Sequence, residues 1–222
     1  MKVIFRKRGG KPRHFKNFSN FVVVSERLKI KYIDIHTHNP RADVLSPTMA
    51  GIHPWQAEKG LMLPDFSHCD IVGETGLDYA CKVDRGLQRR LFKEHISSAI
   101  EANKPIVLHV VRAIEETLNI LEEYNTLRAV IFHGFIGSWQ QAKRCIEQGY
   151  YLSFGPRSLR SPKTCEVIAK MPQNLLFCET DAELDKGNIE QIYHEVARIR
   201  NIGVEELTRS ITENYNTIFR ND

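Results

Sequence analysis

Six side chains of the kinds that bind metal ions or transfer protons stand where short apolar segments of the chain end. Histidine, aspartate and glutamate together make up only 36 of the 222 residues. Their recurrence in five separate segments is therefore not expected from composition alone. The six are His36 and His38 after YIDI, Glu74 after DIVG, His109 after PIVL, His133 after AVIF and Asp181 after LLFCET.

The spacing of His36 and His38, two residues apart, allows both side chains to bind one ion. Alternate residues of a strand point to the same side, so two imidazoles can bind one cation from a rigid support. Four histidines and two carboxylates can form two adjacent sites, with a bridging carboxylate, ions about 3.5 to 4 Å apart and a shared water deprotonated for attack. Such a centre is typical of a hydrolase.

Two interpretations of this set stay open at this point. In the first, the mixture of imidazole with carboxylate, without thiolate, favours Mg²⁺ or Mn²⁺, with Zn²⁺ as the alternative. In the second, His36, His109 and His133 are hydrogen-bonded core histidines. That second interpretation requires three separate buried partners at equivalent strand ends, which favours the metal interpretation.

The elements that would position these residues alternate along the chain from Tyr32 onward. Short apolar runs and longer amphipathic stretches predict repeated strand-helix units on a parallel sheet, whose active site lies at the carboxyl ends of the strands. The predicted strands lie in 32–37, 48–53, 70–75, 105–110, 129–134, 150–155 and 175–180, and the predicted helices in 84–103, 113–124, 138–148, 161–171, 188–200 and 204–219.

Charge is concentrated at the amino terminus. Residues 1–31 contain ten Lys or Arg against Glu26 alone, a net charge of +9, whereas residues 32–222 carry a net charge of −5. The segment 1–31 is therefore predicted to be a basic, disordered extension, and 32–222 a single domain. The body lacks the basic stripe of an electrostatic nucleic-acid binder, so an anionic ligand must be attracted locally.

Composition also restricts the cellular setting. The chain has no apolar run of the roughly 18 residues that a membrane-spanning helix needs, and its amino terminus lacks the apolar region of a secretory signal. A cytoplasmic protein without a membrane partner is expected. The five cysteines contain no C-x-x-C pair and are expected to be buried free thiols.

Seven motifs, in order, resemble those of the TatD family of metal-dependent hydrolases, within the wider amidohydrolase-type barrels. The resemblance covers residues 32–219 and implies a TIM-like (β/α) barrel. The motifs are DIHTHNP, GIHPW, GETGLDY, KPIVLHVVRA, FHGFIGS, LLFCETDA and TENYNTIF.

The resemblance also implies roles for the six side chains. Two divalent metal ions would be held with Glu74 as the bridge, and Asp181 would contact a metal and accept a proton from the attacking water. The family is associated with Mg-dependent DNase activity. The implied metal ligands are His36, His38, Glu74, His109, His133 and Asp181, and the implied catalytic residues are Asp181 and Glu74.

The chain departs from the family pattern in two places. Only the short segment 41–50 separates DIHTHNP from GIHPW, so the barrel is expected to be shortened to about seven strands with the second strand missing. The segment FVVV at 21–24 is a weak candidate to replace it. After Asp181, the stretch ELDKGNIEQ keeps little of the family's Pro-containing segment near the substrate, which leaves the substrate class open.

Further polar residues could surround the centre. His53 and Arg112 are candidates to contact a substrate phosphate, with a turn and a helix start as their structural alternatives. Glu179 shares a strand face with Asp181 and could orient a ligand. No chemistry is expected from His14, His68, His95 and His194.

The sequence thus favours a two-metal phosphodiesterase, with DNA or another phosphodiester as substrate and no obligate protein partner. In one alternative, the same metal centre hydrolyses a different bond, namely that of another ester, an amide, a lactone or a small phosphoester. The other alternative is a non-catalytic metal-binding barrel.

Overall fold

A computed structural model describes residues 32–124, 126–182 and 188–220. The basic extension 1–31, with FVVV at 21–24, lies outside the described residues, as does most of the altered stretch after Asp181. The division into an extension at 1–31 and one domain at 32–222 therefore stays a prediction.

Eight β-strands are described, and every hydrogen-bonded pair of strands runs parallel. They form a two-stranded sheet, β1-β2, and a six-stranded sheet in the order β3 to β8. Within each sheet, each strand lies beside the next along the chain, which confirms the predicted parallel α/β fold. The strands are β1 Tyr32–Ile33, β2 Val44–Leu45, β3 Met49–Ala50, β4 Ile71–Asp78, β5 Ile106–Val111, β6 Val130–Phe132, β7 Tyr151–Phe154 and β8 Leu176–Cys178.

The two sheets meet at both of their edges. At one edge, segment 44–50 belongs to both sheets, since β2 pairs with β1 and β3 pairs with β4. At the other edge, Thr37 forms a parallel bridge with Asp181, and Ile35 N donates a hydrogen bond to Cys178 O at 3.2 Å. The strands therefore follow one another in a ring, as in a barrel, although the ladder of hydrogen bonds is not continuous around it.

The strand count differs from the prediction at one point. The second strand, expected to be missing, is present as the two-residue β2, which pairs only through Tyr32↔Val44 and Ile33↔Leu45. Pro47 follows soon after and has no N–H to contribute to a ladder. So short a strand leaves no hydrophobic pattern in the sequence. If β2 and β3 are counted together as one segment, 44–50, the ring has seven strand segments, which is the number predicted.

Seven α-helices are described, and six of them lie within the predicted ranges. Their apolar residues recur at helical spacing and pack against the strands, as in α1, where Leu91, Phe92 and Ile96 are buried. The short α4 carries too few residues to show a periodic pattern. The helices are α1 Arg85–Glu101, α2 Ile114–Leu121, α3 Trp139–Glu147, α4 Pro156–Leu159, α5 Pro162–Lys170, α6 Ile189–Arg200 and α7 Val204–Phe219.

The strands β6, β7 and β8 are buried along their whole length, as expected for parallel strands covered on both faces. All five cysteines are free, as predicted, but only three of them are buried, and Cys81 and Cys165 are partly exposed. No helix in the described ranges is long and apolar enough to cross a membrane.

His95 joins α1 to the loop that carries His53. Its Nε2 accepts a hydrogen bond from Ile52 N at 3.0 Å, and its Nδ1 lies 2.8 Å from Leu91 O. This pattern requires a neutral ring with the proton on Nδ1. Burial lowers the pKa of His95 below its usual range, which favours the neutral form.

Replacing His95 with leucine should destabilise the protein by about 1 to 3 kcal/mol, because Ile52 N–H would be buried without an acceptor. The difference between the two proteins should shrink on acidification. The contribution of a neutral histidine is complete above a pH of about 6.5 and is lost as the pH falls through the lowered pKa. Urea unfolding of both proteins at neutral and at mildly acidic pH measures this, and a constant difference would contradict it.

Candidate metal centre

Hydrogen bonds between the ends of β1 and β8 set the positions of His36, His38 and Asp181. The Asp181 N–H donates to His36 O at 3.0 Å, and His38 N–H donates to Asp181 O at 3.1 Å. The side chain of His36 is fully buried, whereas that of His38 is 53% exposed. His36 therefore lies on the buried side of the centre, and His38 lies on its solvent-exposed side.

Two glycines place Glu74 on β4. Both Gly73 and Gly76 have positive φ angles, 131° and 132°, which L side chains rarely adopt. A Cβ atom on Gly73 would lie 2.5 Å from Val107 O. The register with β5 shifts between Val72 and Thr75, a bulge of the kind that redirects a side chain. The strand thus approaches β5 closely while Glu74 turns towards the histidines.

One carboxylate oxygen of Glu74 faces the end of β1. Glu74 Oε2 lies 3.5 Å from His36 Nε2 and 3.7 Å from His38 Nε2. Asp181 Oδ1 lies 3.6 Å and 3.5 Å from the same two nitrogens. Two imidazoles and two carboxylates therefore converge on one small volume, and we call these four side chains the first ligand group because they are candidate ligands for one cation.

The other carboxylate oxygen of Glu74 faces a second ligand group. Glu74 Oε1 lies 2.7 Å from His133 Nε2, 2.9 Å from His109 Nδ1 and 3.4 Å from His53 Nε2. The facing nitrogens of His109 and His133 are 3.2 Å apart. Glu74 is thus shared between the two groups.

The arrangement fits divalent cations. His36 is buried, yet neither of its ring nitrogens has a hydrogen-bond partner, and Nδ1 of His133 also lacks one. Imidazole lone pairs that converge with carboxylate oxygens form a ligand set for a cation. Within the described ranges, four groups have ligand atoms within 4.8 Å of one another: His36-His38-Asp181, His36-Glu74-His133, His53-Glu74-His109 and His133-Glu179-Asp181.

The pKa values of Glu74, His133 and Asp181 are shifted in the directions expected for a centre that attracts positive charge. Burial opposes the ionisation of Glu74, but hydrogen bonds from His109 and His133 hold its pKa well below its usual range. Burial likewise disfavours charge on His133, yet its contacts with Glu179 and Glu74 raise its pKa to about 10. The pKa of Asp181 is lowered by His36 in spite of burial. The carboxylates are therefore ionised at neutral pH.

Asp78 is a polar neighbour of the centre that inspection of the sequence missed. Its Oδ2 lies 3.2 Å from His109 Nε2, the nitrogen that faces away from Glu74, and accepts a hydrogen bond from Trp55 Nε1 at 2.6 Å. A carboxylate in this position fixes the orientation and the tautomer of an imidazole. The sequence contained one signal, since Asp78 stands an even number of residues after Glu74 in the same strand.

Glu179 and Asp34 lie behind the centre. The Ser153 hydroxyl donates to Glu179 Oε2, and Glu179 Oε1 lies 3.5 Å from His133 Nδ1. Glu179 is thus placed where it could orient His133. Asp34 accepts hydrogen bonds from Thr180, and burial raises its pKa to about 7 despite them.

The other residues singled out in the sequence lie at different distances from the centre. His53 belongs to the second ligand group, and its Nδ1 also accepts a hydrogen bond from Trp55 N at 3.2 Å. Arg112 has no described contact with the ligands but lines the adjoining cavity. His95 has the structural role given above, His194 lies exposed on α6, and His68 lies in the 3₁₀ helix Phe66–His68. His14 is outside the described residues.

A cavity of about 720 Å³ opens beside the second ligand group. His109, His133 and Asp181 contribute to its wall, and loops after β5 and β7 extend it. Its size is that of an organic ligand site rather than of an ion site. A substrate in this cavity would meet the centre directly.

Sequence comparison assigns the family. The profile of the family described as TatD related DNase matches residues 13–220. The chain belongs to this family. The match thus includes all of the described residues.

Individual relatives agree with this assignment. A protein of Buchnera aphidicola subsp. Acyrthosiphon pisum named as an uncharacterized metal-dependent hydrolase is 32% identical over 76% of this chain and 75% of its own length. Deoxyribonuclease Tat-D of Schizosaccharomyces pombe is 33% identical over 50% of this chain and 36% of its own length. This chain is thus matched to three quarters of the first protein and to about a third of the second.

Structure comparison agrees on the fold. The crystal structure of YjjV, a TatD homologue of Escherichia coli K12, superposes with a TM-score of 0.70 at 24% identity and covers 91% of this chain and 83% of that chain. At this identity, the likeness shows the shared barrel-type fold. The predicted TIM-like fold class is therefore confirmed.

We expect Asp78→Asn to weaken Mn²⁺ binding about 10- to 100-fold, the usual effect of removing a carboxylate that orients a ligating histidine. Asparagine keeps the shape and can still accept a hydrogen bond from Trp55, so folding should survive. Calorimetric titration with Mn²⁺ measures the change. Asp65→Asn is the matched control, because Asp65 is exposed and its carboxylate caps the 3₁₀ helix Phe66–His68, which precedes β4. Unchanged affinity in Asp78→Asn would refute this role.

Proposed function

We propose that this TatD-family protein hydrolyses phosphodiester bonds, with DNA as its substrate, at a centre of two divalent cations. The observation that carries the proposal is the position of Glu74, whose two oxygens face two different groups of imidazoles. A carboxylate shared in this way suits two ions about 3.5 to 4 Å apart.

The ligands divide between the two ions according to which oxygen of Glu74 they face. His36, His38 and Asp181 would hold one ion, His109 and His133 would hold the other, and Glu74 would be shared. When bound, such ions polarise a phosphoryl oxygen and lower the pKa of a water molecule. The mixed imidazole and carboxylate set favours Mg²⁺ or Mn²⁺, with Zn²⁺ as the alternative.

Asp181 is the proposed general base. Its carboxylate is ionised, because its pKa is lowered, and its side chain is 23% exposed at the cavity wall. It can therefore accept a proton from the attacking water and release it to solvent. Glu74 acts by holding the two ligand groups together, and Glu179 and Asp78 keep His133 and His109 in their orientations.

The substrate class is supported by the family and by the cavity. The fission yeast relative is named a deoxyribonuclease, and the family description carries the same activity. His53, at the edge of the second group, is the proposed contact for the scissile phosphate, and Arg112, on the cavity wall, is the proposed contact for a phosphate farther along the strand. The scissile phosphodiester would then lie between the ligand groups and His53.

Removal of metal should abolish hydrolysis of single-stranded DNA, and added Mg²⁺ or Mn²⁺ should restore it. The same ions should raise the melting temperature of the chelator-treated protein, because they bind the folded state alone. A panel containing bis(4-nitrophenyl) phosphate, a lactone and an amide distinguishes the bond that is cleaved. Hydrolysis that is indifferent to chelator would contradict the proposal.

Asp181→Asn should lower kcat by roughly 10² to 10⁴, the usual scale for a general base. Because the change also alters a proposed ligand, the assay is run at saturating Mn²⁺ with bound metal quantified. Asp65→Asn again serves as the control for an aspartate-to-asparagine change far from the centre. Wild-type turnover at full metal occupancy would show that Asp181 is not the base.

A further inference from the structure

The cavity beside the centre is larger than a scissile phosphate requires. Its volume of about 720 Å³ lies within the range of sites for whole organic ligands, about 300 to 1,000 Å³. The proposed ligands occupy one end of its wall. The rest of the wall comes mainly from the segments after β5, β6 and β7 and from the first turns of α3 and α5, so these elements would face parts of a substrate beyond the reacting bond.

Three cationic side chains line that remaining wall. Arg112 follows β5, Arg157 lies in α4, and Lys163 lies in the first turn of α5. All three are exposed. Because they belong to three different segments of the chain, they line one cavity rather than forming one charged helix face.

Two acidic residues of the same wall, Glu115 and Glu116, are paired with cations that lie outside it. Glu115 forms an ion pair with Arg144. Glu116 accepts hydrogen bonds from Arg89 Nη1 at 3.0 Å and from Tyr79 OH at 2.5 Å. Within the part of the chain that the structure describes, Arg112 and Lys163 have neither a hydrogen bond nor an ion pair. Arg112 and Lys163 therefore contribute positive charge that no described acidic side chain offsets.

The backbone brings Arg112 close to the centre. Its Cα lies three residues after His109, hence no more than about 11 Å from it. Arg112 has a φ of 54°, in the left-handed region that non-glycine residues seldom adopt. Ile136, with 46% of its surface exposed, adds an apolar contact to the same wall. Cationic and apolar groups together suit a phosphate with its attached sugar and base.

We propose that Arg112, Arg157 and Lys163 form a subsite for a second, non-scissile phosphate of a single-stranded polynucleotide. The inference rests on the proposed phosphodiesterase function and narrows it. The protein should prefer strands with at least two phosphates over isolated phosphodiesters. The body of the protein has a net negative charge, so this local cluster supplies the attraction that the domain as a whole lacks.

The test compares Arg112→Gln, Arg157→Gln, Lys163→Gln and the triple variant with the wild type. Arg90→Gln on α1 is the matched control, because Arg90 is 77% exposed and lies outside the cavity wall. The ratio of kcat/KM for a short oligothymidylate to that for bis(4-nitrophenyl) phosphate should fall about threefold to tenfold per charge removed. Circular dichroism and the melting temperature verify folding. An unchanged ratio in the triple variant would overturn the subsite.

Binding without turnover separates this inference from the proposed function. In chelator, fluorescence anisotropy of a labelled ten-nucleotide oligothymidylate should show weaker binding by the triple variant. The slope of log affinity against log salt should decrease by about 0.7 per cation removed. Equal affinities and slopes would overturn the subsite even if the wild type is active. Failure of the wild type to cleave either substrate with metal would overturn the proposed function, while a loss of binding in the triple variant would still support the subsite.

Discussion

The contact on which the rest of the site depends is the one between Glu74 and the imidazoles on both of its sides. One oxygen faces His36 and His38, and the other lies 2.7 to 2.9 Å from His133 and His109. A partly buried carboxylate is costly unless positive charge or hydrogen-bond donors surround it. His36, one of the imidazoles that surround Glu74, has buried nitrogens without a hydrogen-bond partner. A proton or a metal cation bound at these nitrogens would also balance the charge of the carboxylate.

The backbone meets that constraint by bringing strand ends together at close range. Gly73 and Gly76 let β4 approach β5 with a shifted register, so Glu74 can reach imidazoles from several strands. The bridge between Thr37 and Asp181 joins β1 to β8 and places a second carboxylate opposite Glu74. Behind the ligands, Asp78 and Glu179 contact the outer nitrogens of histidines. The carboxyl ends of the parallel strands thus hold these side chains in fixed relative positions.

Much of this could be predicted from the sequence, because the strands end in ligand-type residues and the helices have periodic apolar faces. What could not be predicted depends on contacts between distant segments. The pairing of β2 with β1 involves two residues and has no hydrophobic signature. Asp78 contacts His109 only because β4 and β5 are neighbours, and His95, from which no chemistry was expected, holds Ile52 across the fold. Local patterns therefore pointed to the candidate ligands, which the fold brings together, but not to Asp78 and His95, whose contacts depend on neighbouring elements.

The most direct test of the account is a titration with Mn²⁺ followed by electron paramagnetic resonance. If Glu74 is shared by two ions, about two Mn²⁺ should bind per chain at a separation of about 3.5 to 4 Å, and their spectrum should show magnetic coupling. Glu74→Gln should remove the coupling. A single bound ion, or two ions whose spectrum is that of isolated Mn²⁺ at full occupancy, would contradict the account.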